Sequence, residues 1–195
     1  MRIIAGSLRS RKLEAPAGMA TRPTSDRLRE TLFNVLAPRI EGAVFADLYA
    51  GSGAVGMEAL SRGAARVVFV ERAPVALKVL KENLARLGLK EGFGIQSCSA
   101  GAYLRRARPR DGVGFDVVFL DPPYDAGDEY AATLGLLGGS ARELLAEGAV
   151  VIAEHRRKDR LDERYGQLAR TRLLEQGDAA LSFYEVRTAD KDGQE

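Results

Sequence analysis

The feature that most constrains this chain is the decapeptide Asp-Leu-Tyr-Ala-Gly-Ser-Gly-Ala-Val-Gly at residues 47–56. The apolar residues just before it predict a buried strand, and the small and apolar residues from Ala54 onward predict a helix. A strand that turns through glycines into a helix is a geometry with which many proteins bind nucleotides. Gly51 and Gly53 permit a positive φ and a close backbone approach, and Gly56 permits tight packing of helix on strand. The sequence therefore predicts a nucleotide-binding turn, without choosing the nucleotide.

Near-continuous runs of Val, Ile and Phe alternate with helical segments through the middle of the chain. Strands are predicted at 43–49, 66–71, 93–98, 115–120 and 149–154, and helices at 54–62, 74–87, 100–107 and 128–147, the last interrupted at Gly138-Gly139. This alternation predicts a parallel sheet covered on both faces. Next, a polar helix is predicted at 157–165. Two final strands, 168–175 and 180–187, are joined by Gly177-Asp178, which predicts an antiparallel hairpin at one edge of the sheet.

The N-terminal segment carries most of the positive charge. Residues 1–39 contain eight basic and three acidic side chains, so their net charge is +5 and that of the remaining residues is −3. A basic segment on a mildly acidic body predicts a polyanionic partner, most simply nucleic acid, although a solvated Arg-rich surface would have the same composition. The candidate nucleic-acid contacts are Arg2, Arg9, Arg11, Lys12, Arg22, Thr24, Arg27 and Arg29.

Three segments are expected along the chain. Residues 1–40 form a small appendage, in which a basic hairpin over 2–14 and an irregular connection precede a helix that begins near Pro23 and ends near Ala37. In that helix one apolar stripe is predicted to face the core, and it consists of Leu28, Leu32, Phe33 and Leu36. Arg27 and Arg29 lie outside this stripe. Residues 41–188 form the main domain, and 189–195 form a frayed tail.

Two carboxylates near the glycine turn bear on the cofactor. Glu71 closes the second predicted strand, 20 residues after Gly51, where it can accept hydrogen bonds from ribose hydroxyls; this fits NAD and S-adenosylmethionine equally. Asp47 lies beneath the turn, where it would repel a pyrophosphate but attract a cofactor that carries an ammonium and a sulfonium group. The alternative is that Asp47 only caps the turn. Asp47 therefore favours S-adenosylmethionine.

The tetrapeptide Asp121-Pro122-Pro123-Tyr124 follows the predicted strand at 115–120. Two prolines stiffen this loop and remove two amide donors. An ionised Asp121 and the Pro122 carbonyl could accept both protons of an exocyclic amino group, while the ring of Tyr124 offers a face on which a base can stack. An Asp-Pro turn that merely leaves a strand is the alternative. The tetrapeptide predicts chemistry on the amino group of a base.

These residues resemble a known family. The decapeptide resembles the cofactor motif of class I S-adenosylmethionine-dependent methyltransferases, and the tetrapeptide resembles the catalytic motif of enzymes that methylate exocyclic nitrogens of bases. Three N-terminal phrases, Arg2-Ile3-Ile4-Ala5-Gly6, Arg22-Pro23-Thr24 and Asp26-Arg27-Leu28-Arg29-Glu30, are similar to the RsmD family of bacterial 16S rRNA guanine-N2 methyltransferases. The resemblance covers about residues 1–187 and implies a methyl transfer to a guanine N2 of 16S rRNA, of the guanine-966 type, within a small-subunit assembly intermediate.

The resemblance also implies a fold and a set of site residues. The fold is α/β and Rossmann-like, with a mostly parallel seven-stranded sheet, helices on both faces and an antiparallel edge hairpin. The catalytic residues are Asp121, Pro122, Pro123 and Tyr124. The cofactor-binding residues are Asp47, Tyr49, Gly51, Ser52, Gly53, Gly56, Glu71, Arg72, Ser99, Ala100 and Asp121. The sequence departs from the pattern at Ser97-Cys98-Ser99-Ala100, where such enzymes often carry Asp or Asn to hold the adenine amine.

Composition narrows the remaining possibilities. The chain of 195 residues has one cysteine and one histidine, so neither disulfides nor a metal site is expected. Cys98 is expected in the core, and His155 at the surface or at a strand end. No apolar run approaches the length of a membrane span, which favours a cytoplasmic protein. Three other functions stay open at this point: an adenine-N6 methyltransferase, an NAD(P)-dependent reductase, and an RNA-binding assembly factor without turnover.

Overall fold

A computed structural model describes residues 1–15, 25–109, 114–123 and 127–187. The strands are β1 (Val44–Asp47), β2 (Arg66–Val70), β3 (Phe93–Gln96), β4 (Phe115–Leu120), β5 (Leu145–Arg156), β6 (Arg164–Tyr165), β7 (Leu168–Gln176) and β8 (Ala179–Val186). The α-helices are α1 (Asp26–Leu36), α2 (Ala54–Ser61), α3 (Pro74–Leu87), α4 (Ala100–Arg106) and α5 (Gly127–Leu137), with single 3₁₀ turns at Ala37–Arg39 and Arg142–Leu144. In these ranges no helix is long and apolar enough to cross a membrane.

All the strands form one sheet in the order β3-β2-β1-β4-β5-β8-β7-β6. Strands β1 to β5 are parallel, and β8 runs antiparallel to β5 and β7, which confirms the predicted parallel sheet and its edge hairpin. The sheet has eight strands rather than seven because the two-residue strand β6 pairs with β7. The strand order reverses between β1 and β4. Ligands of such sheets bind at this reversal, beyond the carboxyl ends of the strands.

Apolar side chains fill both faces of the sheet, as predicted. On one face Phe45 and Phe69 pack under α1, α2 and α3, and on the other face Val68 and Val118 pack under α4 and α5. The apolar stripe of α1 is buried, which confirms its prediction. Each such Leu or Phe stabilises the fold by about 1.5–3 kcal/mol relative to an exposed position.

Two helix predictions near β5 are wrong. The segment 142–147 forms a 3₁₀ turn and then the start of β5, because Leu145 pairs with Phe115 of β4. The polar segment 157–165 forms turns and β6 instead of a helix. Gly166 (φ 59°) reverses the chain there, so that Tyr165 pairs with Leu168 and packs against a tyrosine of β8. Strand pairing outweighed the weak helical pattern in both places, inside the sheet at β5 and at its edge at β6.

The N-terminal residues form the predicted hairpin, held by an antiparallel bridge between Arg2 and Lys12 and by a 2.9 Å hydrogen bond from Ile3 N to Arg11 O. Its inner strand docks on α2. The buried Glu58 carboxylate accepts from the backbone N–H groups of Ile4 (2.7 Å) and of the next residue (3.0 Å). The division of the chain at residue 40 stays a prediction. Residues 16–23 and 189–195, to which predictions were attached, lie outside the described ranges.

Arg29 is the main correction to the predicted nucleic-acid surface. Its side chain is fully buried rather than exposed on α1. The guanidinium donates to Arg2 O and to Asp26 Oδ1 (3.0 Å) and lies 3.9 Å from Glu58 Oε2. The prediction that Arg29 contacts RNA is therefore wrong. The hairpin folds back over that side of α1 and covers it, so Arg29 ties hairpin, helix and α2 together.

Candidate active site

A cavity of about 460 Å³ opens at the carboxyl ends of β1, β2 and β4. Its volume lies within the range typical of small-molecule sites. The sequence-predicted residues that line it are Asp47, Tyr49, Gly51, Ser52, Glu71, Arg72, Ser99, Ala100, Asp121, Pro122 and Pro123. The fold thus brings most of the predicted cofactor residues and three of the four predicted catalytic residues to one place. Tyr124 lies outside the described ranges.

Gly53 and Gly56 do not line this cavity and act through packing. Gly53 has φ 83°, and a Cβ there would lie 2.3 Å from Leu80 Cδ1. A Cβ on Gly56 would lie 2.3 Å from the ring of Phe69 on β2. A side chain at Gly56 would therefore push α2 away from the sheet, and one at Gly53 would collide with α3. Both glycines allow the turn to pack closely against the elements around it.

Asp47 combines the two roles that the sequence left open. Its Oδ2 accepts a hydrogen bond from Gly56 N (3.1 Å), which caps the turn, and its carboxylate also borders the cavity. Burial raises the pKa of Asp47 to about 7; the Gly56 hydrogen bond opposes this rise and the negative charge of Glu71 adds to it. A cation in the cavity would offset the cost of burying the ionised carboxylate.

Glu71 braces the glycine turn from the end of β2. Its Oε2 accepts from Gly51 N (2.9 Å), and its Oε1 accepts from the backbone N–H groups of Arg72 and Ala73, each at 2.7 Å. The carboxylate is therefore fixed by backbone groups at the wall of the cavity. A carboxylate oxygen can accept more than one hydrogen bond, so Glu71 can still accept from ribose hydroxyls in this orientation.

Glu129 is a wall residue that the sequence did not indicate. The Tyr49 hydroxyl donates to Glu129 Oε2 (2.8 Å) and lies 2.7 Å from Thr133 Oγ1, while Arg72 Nη1 is 3.9 Å from Glu129 Oε1. Burial raises the pKa of Tyr49 well above its ordinary value. Glu129 lies in the first turn of α5, where an acidic residue is explained by the helix dipole alone. Its place in the cavity depends on how α5 packs beside Tyr49.

The end of β3 differs from the prediction in one respect. Ser99 caps α4, because its Oγ accepts from Ala102 N (3.2 Å), and it also lines the cavity. Cys98, which was expected in the core, lies beyond the strand, is partly exposed and lines the cavity as well. Arg106 Nη2 donates to Cys98 Sγ (3.1 Å). The strand ends at Gln96, two residues before the sequence pattern suggested, which turns Cys98 out of the core.

Asp121 lies directly beyond β4, and the pairing of Leu120 with Ala153 puts Glu154 next to it on β5. Burial raises the pKa of Asp121 well above its ordinary value, and the negative charges of Glu154 and Asp47 raise it further. The site therefore concentrates carboxylates at the edge of the sheet. Among its described lining residues, Arg72 is the one with a cationic side chain.

The predicted nucleic-acid contacts separate into three groups. Five are exposed as expected, namely Arg2, Arg9, Arg11, Lys12 and Arg27. Arg29 is buried, and Arg22 and Thr24 lie outside the described ranges.

His155 lies at the end of β5, which agrees with the strand-end alternative of its prediction. It is buried rather than at the surface, and its Nε2 lies 2.9 Å from Ser182 Oγ. No group of three or more potential metal ligands occurs among the described residues.

The chain is similar to proteins of known family. The family model described as "Conserved hypothetical protein 95" matches residues 1–185. The "Putative rRNA methyltransferase YlbH" of Bacillus subtilis is 38% identical over 187 residues, 96% of this chain and 100% of the relative. The "Ribosomal RNA small subunit methyltransferase D" of Escherichia coli K12 is 42% identical over 127 residues, 65% of this chain and 62% of the relative. A solved structure, "Putative methyltransferase yhhF from Escherichia coli", has a TM-score of 0.80 and 35% identity, covering 95% of this chain and 97% of that one. This chain therefore belongs to the RsmD family and has the class I methyltransferase fold.

Proposed function

We propose that this protein transfers a methyl group from S-adenosylmethionine to the exocyclic N2 of a guanine in 16S rRNA. The observation that carries the proposal is a single cavity bordered by Asp47, Glu71 and the Asp121-Pro122 dipeptide. The family membership supports it, because relatives in that family are named as rRNA methyltransferases. A substrate in ribosomal RNA agrees with the cytoplasmic location expected from the sequence.

The residues of the cavity fit a cationic cofactor better than a dinucleotide. S-adenosylmethionine supplies a methyl group on a sulfonium that is already activated for transfer. Asp47 would hold the positive charge, Glu71 would accept from the ribose hydroxyls, and Ser99 would lie beside the base. A pyrophosphate would instead meet four acidic side chains, those of Asp47, Glu71, Asp121 and Glu129, against the one cationic side chain of Arg72. This balance of charge speaks against the NAD(P)-dependent reductase.

Asp121 and the Pro122 carbonyl would orient the amine that receives the methyl group. A guanine amino group is a poor nucleophile because its lone pair is delocalised into the ring. Two acceptors at its two protons would favour a pyramidal nitrogen, with the lone pair directed at the methyl carbon. The nitrogen–carbon bond then forms as the sulfur–carbon bond breaks, and the methylated amine releases its extra proton towards Asp121. Positioning of this kind can contribute up to roughly 7–11 kcal/mol.

The raised pKa of Asp121 fits this role, since a carboxylate surrounded by other carboxylates readily accepts a proton. A positive charge in the adjoining cofactor site would lower that pKa again and keep Asp121 ionised until transfer occurs. The base must leave its stack to reach Asp121, at a cost of about a few kcal/mol. Stacking on Tyr124 is predicted to offset part of that cost.

The test is methyl transfer from labelled S-adenosylmethionine to two substrates, unmodified small-subunit particles and naked 16S rRNA. The modified nucleoside is then identified and mapped. We expect N2-methylguanosine at one position, with more product from a particle that resembles an assembly intermediate. N6-methyladenosine would support the adenine enzyme instead. RNA binding without label transfer would support an assembly factor.

A further inference from the structure

A second cavity, of about 660 Å³, lies beside the proposed active site. It is bounded by the start of α1, the end of β5 and the turn between β7 and β8. Its polar and charged lining residues are Ser25, Glu154, Arg156, Arg157, Lys158, Gln176 and Asp178. We call it the β5 cleft. Nothing in the proposed methyl transfer uses this cleft.

The β5 cleft adjoins the position where the acceptor base would be held. Leu120 of β4 pairs with Ala153 of β5, so the next residue on each chain segment, Asp121 and Glu154, lies beside the other. Glu154 lines the cleft, and its charge acts directly on Asp121. A nucleic-acid strand that presents a base to Asp121 would therefore have its next nucleotide at or near this cleft.

The rim of the β5 cleft is cationic. Arg156, Arg157 and Lys158 form a continuous basic run at the end of β5, and all three line the cleft. Arg157 Nε also lies 3.2 Å from Glu175 Oε2, so it is partly neutralised. Ser25, the N-cap of the 11-residue helix α1, lies on the opposite wall and brings the positive end of the helix dipole to the cleft. Two carboxylates, Glu154 and Asp178, also line the cleft, so the positive charge in excess is small and is concentrated at the basic rim, where a phosphate would bind.

Gln176 provides an independent sign of a ligand. Its Oε1 is buried and has no hydrogen-bond partner among the described residues, although the residue lines the cleft. A buried acceptor without a partner is costly, and native proteins rarely retain one without a reason. A ribose hydroxyl or a base N–H would satisfy it once the side chain turns its Oε1 into the cleft.

We propose that the β5 cleft binds the ribonucleotide that adjoins the target base, with its phosphate at Arg156 and Lys158 and a ribose or base donor at Gln176. This inference rests on the proposed function, since it assumes an RNA substrate. The cleft would hold the strand beside the flipped base and thereby determine which base reaches Asp121. Phosphate contacts set the register of a nucleic acid, whereas a ribose 2′-hydroxyl that donates to Gln176 would add selectivity for RNA.

The first test is the double variant Arg156→Ala/Lys158→Ala, with Lys78→Ala/Lys81→Ala on α3 as the matched control. Affinity for a 16S rRNA fragment is measured by fluorescence anisotropy at several salt concentrations, and donor affinity by calorimetry. Loss of one neutralised phosphate on a single strand should weaken RNA binding about tenfold at physiological salt and reduce the salt slope by about 0.7. Donor affinity should stay unchanged. Equal RNA binding by the two double variants would overturn the inference.

The second test uses Gln176→Leu, which changes no charge. This variant should raise the KM for RNA about fivefold to tenfold, while its melting temperature stays the same or rises, because an unsatisfied buried acceptor is removed. A lower melting temperature with an unchanged KM would mean that Gln176 has only a structural role, and would overturn its part in the cleft. Failure of the wild-type protein to bind any rRNA would instead refute the proposed function itself.

Discussion

The affinity for S-adenosylmethionine should increase with pH between pH 5.5 and pH 7.0, because Asp47 must be ionised to attract a cation. Burial raises the pKa of Asp47 to about 7 in the ligand-free protein. A cation bound beside the carboxylate favours its ionised form and lowers the pKa by about two units. Binding therefore releases a proton below pH 7, and lowering the pH opposes binding.

The size of the effect follows from these two pKa values. With a pKa of about 7 before binding and about 5 after it, the association constant at pH 7.0 exceeds that at pH 5.5 by about tenfold, or about 1.4 kcal/mol. An α-amino group with a pKa of about 8 stays protonated throughout this range, so the ligand itself contributes little. Asp121, whose pKa is also raised, would change the affinity in the same direction.

Isothermal titration calorimetry at the two pH values measures this change, and buffers of different ionisation enthalpy count the released protons. Asp47→Asn should bind more weakly at pH 7.0 and lose most of the pH dependence. Glu82→Gln, a change at an exposed position on α3, is the control and should behave as wild type. Equal wild-type affinities at pH 5.5 and pH 7.0 would refute the reasoning. An unaltered pH dependence in Asp47→Asn would assign the proton to another group.

Three further outcomes are expected. Folding raises the pKa of Asp47 from 3.8 to about 7, so ionisation of this carboxyl group costs stability as the pH rises through that range. Asp47→Asn should therefore raise the free energy of unfolding of the ligand-free protein by up to about 4 kcal/mol at pH 8 and change it little at pH 4. Urea denaturation at the two pH values measures this difference. Asp121→Ala should lower kcat by about 10²–10⁴-fold, because the acceptor amine loses its orienting partner, while calorimetry still detects donor binding. The triple change Arg9→Ala/Arg11→Ala/Lys12→Ala should reduce the slope of log K against log salt for RNA binding by about 2.

Each of these variants has a matched control in the chain. Asp128→Ala removes an exposed carboxylate from the first turn of α5 and should keep full turnover. Lys78→Ala/Lys81→Ala/Lys90→Ala removes three exposed cations outside the hairpin and should keep the salt slope. Turnover by Asp121→Ala at the wild-type rate would exclude its role. A hairpin variant with the wild-type slope would mean that RNA does not contact the hairpin, and a larger stabilisation of Asp47→Asn at pH 4 than at pH 8 would contradict its raised pKa.

The regular part of the fold could be predicted from the sequence because local and global preferences agree there. Strands β1 to β4 are short apolar runs, and α3 begins at Pro74 and ends before Gly88, whose φ is 74°. The polar segment 157–165 shows where such reasoning fails. Its composition permits a helix, but the segment lies at the sheet edge, where pairing with β7 supplies the backbone hydrogen bonds instead.

The candidate site divides in the same way. Carboxylates at strand ends could be predicted, because parallel strands bring their carboxyl ends to one edge of the sheet. The positions of Glu129 and Cys98 could not be predicted, since they depend on how α5 packs beside Tyr49 and on where β3 stops. Arg29 was misjudged because a helix pattern places a residue on a face without saying what later covers that face.

The sequence by itself determined the fold class of this protein and most of its candidate site residues. Short stretches of sequence are enough to predict its strands, its helices and the glycine turn. They also suffice to place Asp47, Glu71 and Asp121 at strand ends. The tertiary structure decided the environment of those groups. Burial and neighbouring carboxylates raise the pKa values of Asp47 and Asp121, the hairpin covers Arg29, and the β5 cleft forms from elements distant in sequence. These properties depend on distances between residues that are far apart along the chain, and packing of the whole fold is what sets such distances.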